Sequence, residues 1–314
     1  MTASTAVNQP SQARVVAVIP TLNRRAEVVR CVRSLLEAER RPDSLVLIDN
    51  GSTDGVADAF REEIAAHDFQ GEVLVRTFSN ALGSSGAYTE AIRTGRSLAV
   101  DLVWLLDNDA FVAPDALRHL LDAHQRFPKA ALAPFCLVPE TTRSCWNLEL
   151  PAPWGNRSGD ISDLRQHDVV PAKMTIYAGL LLPVAVIDAV GEPDSRFFFW
   201  FDDSDYTLRV VSAGFGLYYV TRASIYHPAS PVEVKRILGR PVLMMRTSGD
   251  RRYYHVRNIL LFYGKHKQWS RFGMHVGKQV VNLLSEDDLR KAWPDYRDGW
   301  RDFLTSRFGQ RQTT

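Results

Sequence analysis

The chain has only three cysteines, Cys31, Cys136 and Cys145, an odd set without metal-finger spacing. That argues against a disulfide framework and a structural zinc site. No apolar run reaches the length of a bilayer span, and residues 1–13 lack the basic start and apolar core of a secretory leader. These absences lead us to expect a cytoplasmic protein with disorder over residues 1–13. Low-complexity tracts and internal repeats are missing too, and net charge is only +2 among 314 residues. No compact basic stripe carries a reading motif, which argues against a nucleic-acid partner.

What is present is an ordinary globular composition with 45% hydrophobic residues and a skewed charge distribution. From Arg251 onward 13 Lys/Arg stand against 6 Asp/Glu, whereas the preceding residues carry 25 against 30. The basic tail, with Trp269, Trp293 and Trp300 on helical patterns, suits a peripheral contact with an anionic inner membrane face. It suits an ordinary helical cover equally well.

Short apolar runs alternate with helical patterns along the first third: VVAVI at 15–19, LVLI at 45–48, Val73 to Arg76 and Leu102 to Leu106. Helices are predicted between them at Ala26 to Glu39, Asp54 to Ala66 and Ser85 to Leu98. The beat predicts an α/β fold, an open and mostly parallel sheet flanked by helices. Ligands of such sheets bind beyond the carboxyl ends of the strands. Here those ends read Pro20-Thr21-Leu22-Asn23-Arg24, then Asp49-Asn50-Gly51-Ser52-Thr53-Asp54, then Asp107-Asn108-Asp109. Residues 139–171, rich in Pro, Gly, Ser and Trp, read as an irregular excursion within a catalytic domain spanning 14–249. A separate helical part is expected from 250 to 314.

Asp107-Asn108-Asp109 follows a buried-type run, and its oxygen ligands suit Mg²⁺ or Mn²⁺ shared with substrate phosphates. The Asp49 turn leads into a helix expected to be capped by Ser52 or Thr53. Small residues in Asn80-Ala81-Leu82-Gly83-Ser84-Ser85-Gly86 let backbone N–H groups approach an anion or a sugar. Farther on, Trp200-Phe201-Asp202-Asp203-Ser204-Asp205 crowds three carboxylates behind a run of aromatics. Helix capping explains one of them, while crowding and an apolar surround raise carboxyl proton affinity and suit a general base. His227, after a strand-like run over Leu217 to Val220, is a candidate imidazole ligand.

Taken in order, VVAVIPTLNRR, LVLIDNGSTDG, SNALGSSGA, WLLDNDA and FFFWFDDSDYTLR resemble the family-two inverting glycosyltransferases of the GT-A fold, over about residues 14–230. FDDSDYTLR, YHP and RRYYHVRN look most like bacterial galactofuranosyltransferases and related rhamnosyltransferases. The resemblance implies donor contacts from Thr21, Arg24, Asp49, Asn80, Gly83 and Asp107, and a metal held by Asp109 and His227 with Asp107 nearby. It makes Asp203 the catalytic base, with Asp202, Asp205 and Trp200 binding the acceptor or positioning the base. A nucleotide-diphosphate sugar and a glycan or lipid-linked glycan would be the partners. Two departures stand out: Asn108 at the centre of the D-x-D triplet, and Asp205 where relatives carry Glu. A sugar nucleotidyltransferase would want a glycine-rich loop after the first strand, and residues 20–24 contain no glycine. A non-catalytic sugar-binding protein would have lost the carboxylates that Asp109 and Asp203 supply.

Overall fold

A computed structural model describes residues 13–228, 232–237, 240–245, 249–286 and 288–312. Of residues 1–13, expected to be disordered, 1–12 lie outside this set, while Ala13 packs against the core. The alternating pattern forms β1 (Val15–Thr21), α1 (Arg25–Leu36), β2 (Ser44–Asp49), α2 (Val56–Ala65), β3 (Glu72–Thr77), α3 (Gly83–Ser97) and β4 (Leu102–Leu105). Next come β5 (Phe111–Val112), α4 (Ala116–Arg126), β6 (Ala131–Leu137), β7 (Val169–Pro171), β8 (Leu181–Pro183), α5 (Val184–Val190), α6 (Asp202–Ser212) and β9 (Leu217–Tyr226). A hairpin of β10 (Val232–Ile237) and β11 (Arg240–Met245) precedes α7 (Asp250–Lys265), α8 (Trp269–Leu284) and α9 (Leu289–Leu304). The sequence pattern had assigned nothing to that hairpin.

Every residue of β1 and β2 is buried, as strands covered on both faces require. The two-residue period of a strand sorts them: Val15, Ala17 and Ile19 pack with α1, α2 and α4, whereas Val16 and Val18 pack with α3 on the opposite face. The fold is therefore three layers, with β3 as an edge strand of mixed exposure. The sheet has nine strands in the order β3-β2-β1-β4-β8-β6-β9-β5, with β7 also on β9. β1 pairs in parallel with β2 and β4, and β6 with β9, while β8 runs antiparallel to both β4 and β6. The carboxyl ends of β1, β2, β4, β6 and β9 thus open on one rim, and the order reverses direction between β1 and β4.

β9 continues six residues beyond the run that the sequence suggested. Its register against β6 shifts between Pro134 and Phe135, where proline supplies no N–H to the ladder, and Ser224 to Tyr226 then resume pairing. This second stretch carries the chain to His227. The excursion over 139–171 is tied to β6 by the bridge from Leu137 to Ser144, folds on itself through the bridge from Leu148 to Arg157, and ends in β7. Ile259 to Tyr263 of α7 share an apolar cluster with Phe197, and Phe201 packs against it. Among the described residues, no helix is long and apolar enough to cross a membrane.

Candidate active site

At the rim, Thr21 closes β1 beside Asp49 of β2. Thr21 is buried, and its hydroxyl has no hydrogen-bond partner among the described residues, an orphaned polar atom that fits a polar ligand at the rim. Asp49 accepts the backbone N–H of Ser52 at 2.8 Å and so shapes the turn after β2. The expected Ser52 or Thr53 cap is not what starts α2. Gly55 takes the cap position, and Asp54 receives the Val56 N–H at 3.2 Å. Arg24 is exposed and paired with Glu27 at 2.9 Å. Asn80 is exposed on the neighbouring loop, whereas Gly83 faces inward. A Cβ on Gly83, whose φ is 75°, would meet the Phe198 carbonyl at 2.4 Å. The absence of a side chain at Gly83 therefore lets that loop pack closely on the aromatic run. Asn50, which the sequence pattern did not single out, ties the loop to the rim by accepting from Leu82 N–H at 2.7 Å and donating to the Gly83 carbonyl at 3.2 Å.

Asp107, Asp109 and His227 converge because β4 and β9 end on the same edge. Their ligand atoms lie within 4.8 Å of one another, and His227 Nε2 stands 2.9 Å from Asp109 and 3.9 Å from Asp107. His227 Nδ1 donates to the Pro228 carbonyl at 2.6 Å, which directs Nε2 at the carboxylates in the manner of a ligating imidazole. Burial alone would lower the imidazole's proton affinity, but Asp109 and Asp107 outweigh it and raise His227 to about 9. Burial likewise works to raise Asp109, yet the His227 contact holds it below the usual carboxylate range. Asp107 moves the other way, raised mainly by burial despite His227 and the Tyr88 hydroxyl that donates to it. Two carboxylates and an imidazole fit a divalent cation of the Mn²⁺ class. Asn108, the departure inside the triplet, donates to the Pro20 carbonyl at 3.0 Å and locks the triplet onto β1.

The second carboxylate group opens α6. Burial foremost raises Asp203 to about 6, with the Asp107 charge acting in the same direction against donation from Ser204. Asp202 is buried and raised well above the carboxylate range, by burial and then by Asp203. Asp205 differs. It is wholly buried, and Arg209, Lys265 and His266 approach its oxygens at 3.0, 2.6 and 2.8 Å. Burial would raise its carboxyl, but these partners hold it below the usual range. These contacts tie the start of α6 to its own next turn and to the end of α7. Trp200 is half-buried and stacks on Phe199 at 5.0 Å.

Two tyrosines bridge the carboxylate groups. Tyr88 donates to Asp107, Tyr177 donates to the Asp202 carbonyl at 3.2 Å, and their rings lie 4.2 Å apart. A cavity of about 300 Å³ has in its wall Trp146, which packs on the His227 ring at 4.6 Å, and Ser204, the residue after Asp203. Neither Asp109 nor Asp203 itself forms that wall.

A family described as Glycosyltransferase like family 2 matches this chain over residues 12–237. The chain belongs to the family-2 glycosyltransferases. Among its relatives, galactofuranosyltransferase GlfT1 of Mycobacterium tuberculosis is 27% identical over 293 residues, covering 89% of this chain and 92% of that protein. The N-acetylglucosaminyl-diphospho-decaprenol L-rhamnosyltransferase of the same organism is 29% identical over 222 residues, covering 63% and 70%. Among solved structures, GalNAc-T7 with UDP, GalNAc and Mn²⁺ aligns with a TM-score of 0.61 at 14% identity, over 96% of this chain and 59% of that one. S. aureus TarS 1–349 in complex with UDP-GlcNAc gives 0.58 at 14% identity, over 93% and 81%. The structural likenesses establish the GT-A-type fold.

In this family-2 glycosyltransferase the acidic helix is fed by a strained loop. Phe198, Trp200 and Phe201 have φ of 59°, 69° and 69°, conformations that cost bulky residues about 1–3 kcal/mol each. Two buried residues of α7 hold it. Asn258 donates to the carbonyls of Phe197, Phe199 and Trp200 at 2.7, 2.7 and 3.2 Å, and Arg257 donates to those of Arg196 and Phe197 at 3.1 Å. Removing one buried partner leaves carbonyls unpaired at about 1–3 kcal/mol apiece. Asn258→Ala should accordingly lower Tm by at least about 4 °C and lower turnover more than donor affinity. Scanning calorimetry with steady-state kinetics would show this; unchanged stability and turnover would remove Asn258 from the clamp.

Proposed function

We propose that this glycosyltransferase is inverting and divalent-metal-dependent, and moves a sugar, galactofuranose or rhamnose favoured, from a nucleotide-diphosphate donor to a hydroxyl of a glycan or lipid-linked glycan. The supporting observation is the pairing of two unlike carboxylate groups across the Tyr88–Tyr177 bridge. One holds a cationic partner in His227, and the other contains a carboxyl raised to about 6.

In single displacement, Asp203 accepts the proton of the acceptor hydroxyl as its oxygen attacks the anomeric carbon opposite the leaving diphosphate. A positioned base of this kind is worth about 10²–10⁴-fold. Asp109 and His227, with Asp107, would hold the cation, which when bound neutralises charge on the departing diphosphate. Thr21 and Asp49 offer a hydroxyl and a carboxylate to the nucleoside end. Asp202 and the Ser204 donors set the orientation of Asp203. Configuration inverts because one displacement takes place, and no second nucleophile is required. The donor preference follows the activities named for the two mycobacterial relatives.

The base must be ionised to work, so kcat/KM should fall about tenfold per pH unit below pH 6 and level off above it. A pH-rate profile lacking that acidic limb would take the role from Asp203. For donor identity, a panel of UDP-galactofuranose, dTDP-rhamnose and UDP-hexopyranoses would be incubated with the protein and Mn²⁺, and released nucleotide diphosphate measured with and without acceptors. Mn²⁺-stimulated release from one of the first two is expected. Silence on every donor and acceptor would contradict the proposal.

A further inference from the structure

Exposed apolar side chains are concentrated at one end of the chain. Of eleven large hydrophobic residues exposed among the described residues, nine fall between Trp269 and Leu304, on α8 and α9 and nowhere else on the C-terminal helices. At 100° per residue, Trp269, Val276, Val280 and Leu284 of α8 form a stripe, widened by Met274 and Val281. The flank of α8 beside the stripe is fixed inward: Gln279 accepts from the Trp300 indole at 2.5 Å and donates to the Val256 carbonyl at 2.8 Å, and Leu283 is buried at the stripe's edge. The stripe is thus turned outward by contacts the protein cannot easily exchange. It is also open, since a Cβ built on Gly273 or Gly277 would meet nothing within 4 Å among the described residues.

Charge decides what covers it. The sixteen residues of α8 include no Asp or Glu, and of the acids between it and α9, Glu286 is paired with Arg252 at 3.2 Å and Asp288 caps α9. Lys278, Arg290 and Lys291 are exposed at its border, and no ion pair holds their side chains among the described residues. A second copy docked by two-fold symmetry would bring the same cations together around the apolar stripe. An anionic bilayer complements both features, taking Leu284 and the two tryptophans into the boundary zone and the cations among its headgroups. We propose that α8 and the start of α9 form a docking face for an anionic lipid surface.

The face also borders the cavity. Arg271, two residues after Trp269, reaches Glu149 at 3.4 Å, and Glu149 lines the cavity together with Ser204 and Tyr263. A lipid-anchored acceptor seated at the stripe would present its head at that wall. This last step rests on the proposed function; the docking face does not.

The test is sedimentation of the full chain with phosphatidylcholine vesicles containing or lacking phosphatidylglycerol, alongside light scattering of the free protein. Wild-type protein should partition at least about tenfold more strongly onto the anionic vesicles, and added salt should weaken it. Leu284→Asp combined with Trp293→Asp should reduce partitioning at least about tenfold, and Lys278→Glu by about fivefold. Nucleotide-diphosphate release on a water-soluble acceptor should stay unchanged in these exposed-site variants. Wild-type protein that ignores anionic vesicles, or variants that bind like wild type, would overturn the proposal. So would a dimer in light scattering that Leu284→Asp dissociates, since a second copy would then own the face. Vesicle binding without any sugar transfer would instead leave the docking face standing and remove the proposed function.

Discussion

Replacing Asp203 by Asn is expected to lower turnover at least about 100-fold while leaving donor binding within about twofold of the parent. The amide keeps the shape and the Ser204 contacts but cannot take a proton from a hydroxyl. Because Asp203 sits across the tyrosine bridge from Asp107 rather than among the cation ligands, the donor should not register the change. Single-turnover kinetics with saturating donor would separate chemistry from binding. Near-normal turnover would show that another group, Asp202 being the nearest, serves as base.

The second large effect concerns Asp109. Its carboxylate makes the 2.9 Å contact with His227 Nε2, so Asp109→Ala removes one ligand and frees the imidazole together. Mn²⁺-dependent affinity for the nucleotide diphosphate should drop at least about tenfold, and His227→Ala should do the same. The metal-independent part of binding, carried by residues such as Thr21 and Asp49, should persist. Titration calorimetry with and without Mn²⁺ measures both quantities. An unchanged Mn²⁺ increment in Asp109→Ala would mean that the ion is held elsewhere.

Much of the fold was legible because buried strands leave a plain trace. VVAVI and LVLI are apolar on both faces, and the acidic and polar residues that follow them had to lie at strand ends. The same logic found Asp107, Asp109 and His227, although the strand leading to His227 was read as ending at Val220. The shift at Pro134 is a property of the partner strand, invisible in the pattern of β9 itself. Roles set by distant partners were illegible for the same reason. Asp205 reads as another acid of a catalytic cluster until Lys265 and His266, some sixty residues on, enclose it. The close packing of Gly83 on Phe198, over a hundred residues away, is equally invisible in the sequence. Asn258 carried one usable signal, a polar residue amid NILLF on a helix, but only the positive-φ aromatics it binds explain why it is there.

The most direct test is an anomalous-diffraction map from crystals grown with Mn²⁺ and a nucleotide diphosphate. A manganese peak coordinated by Asp109 and His227, with the Asp203 carboxylate facing it across the same cleft, is the predicted result. A peak bound away from those two side chains, or an Asp203 turned out of the cleft that holds the diphosphate, would contradict the account.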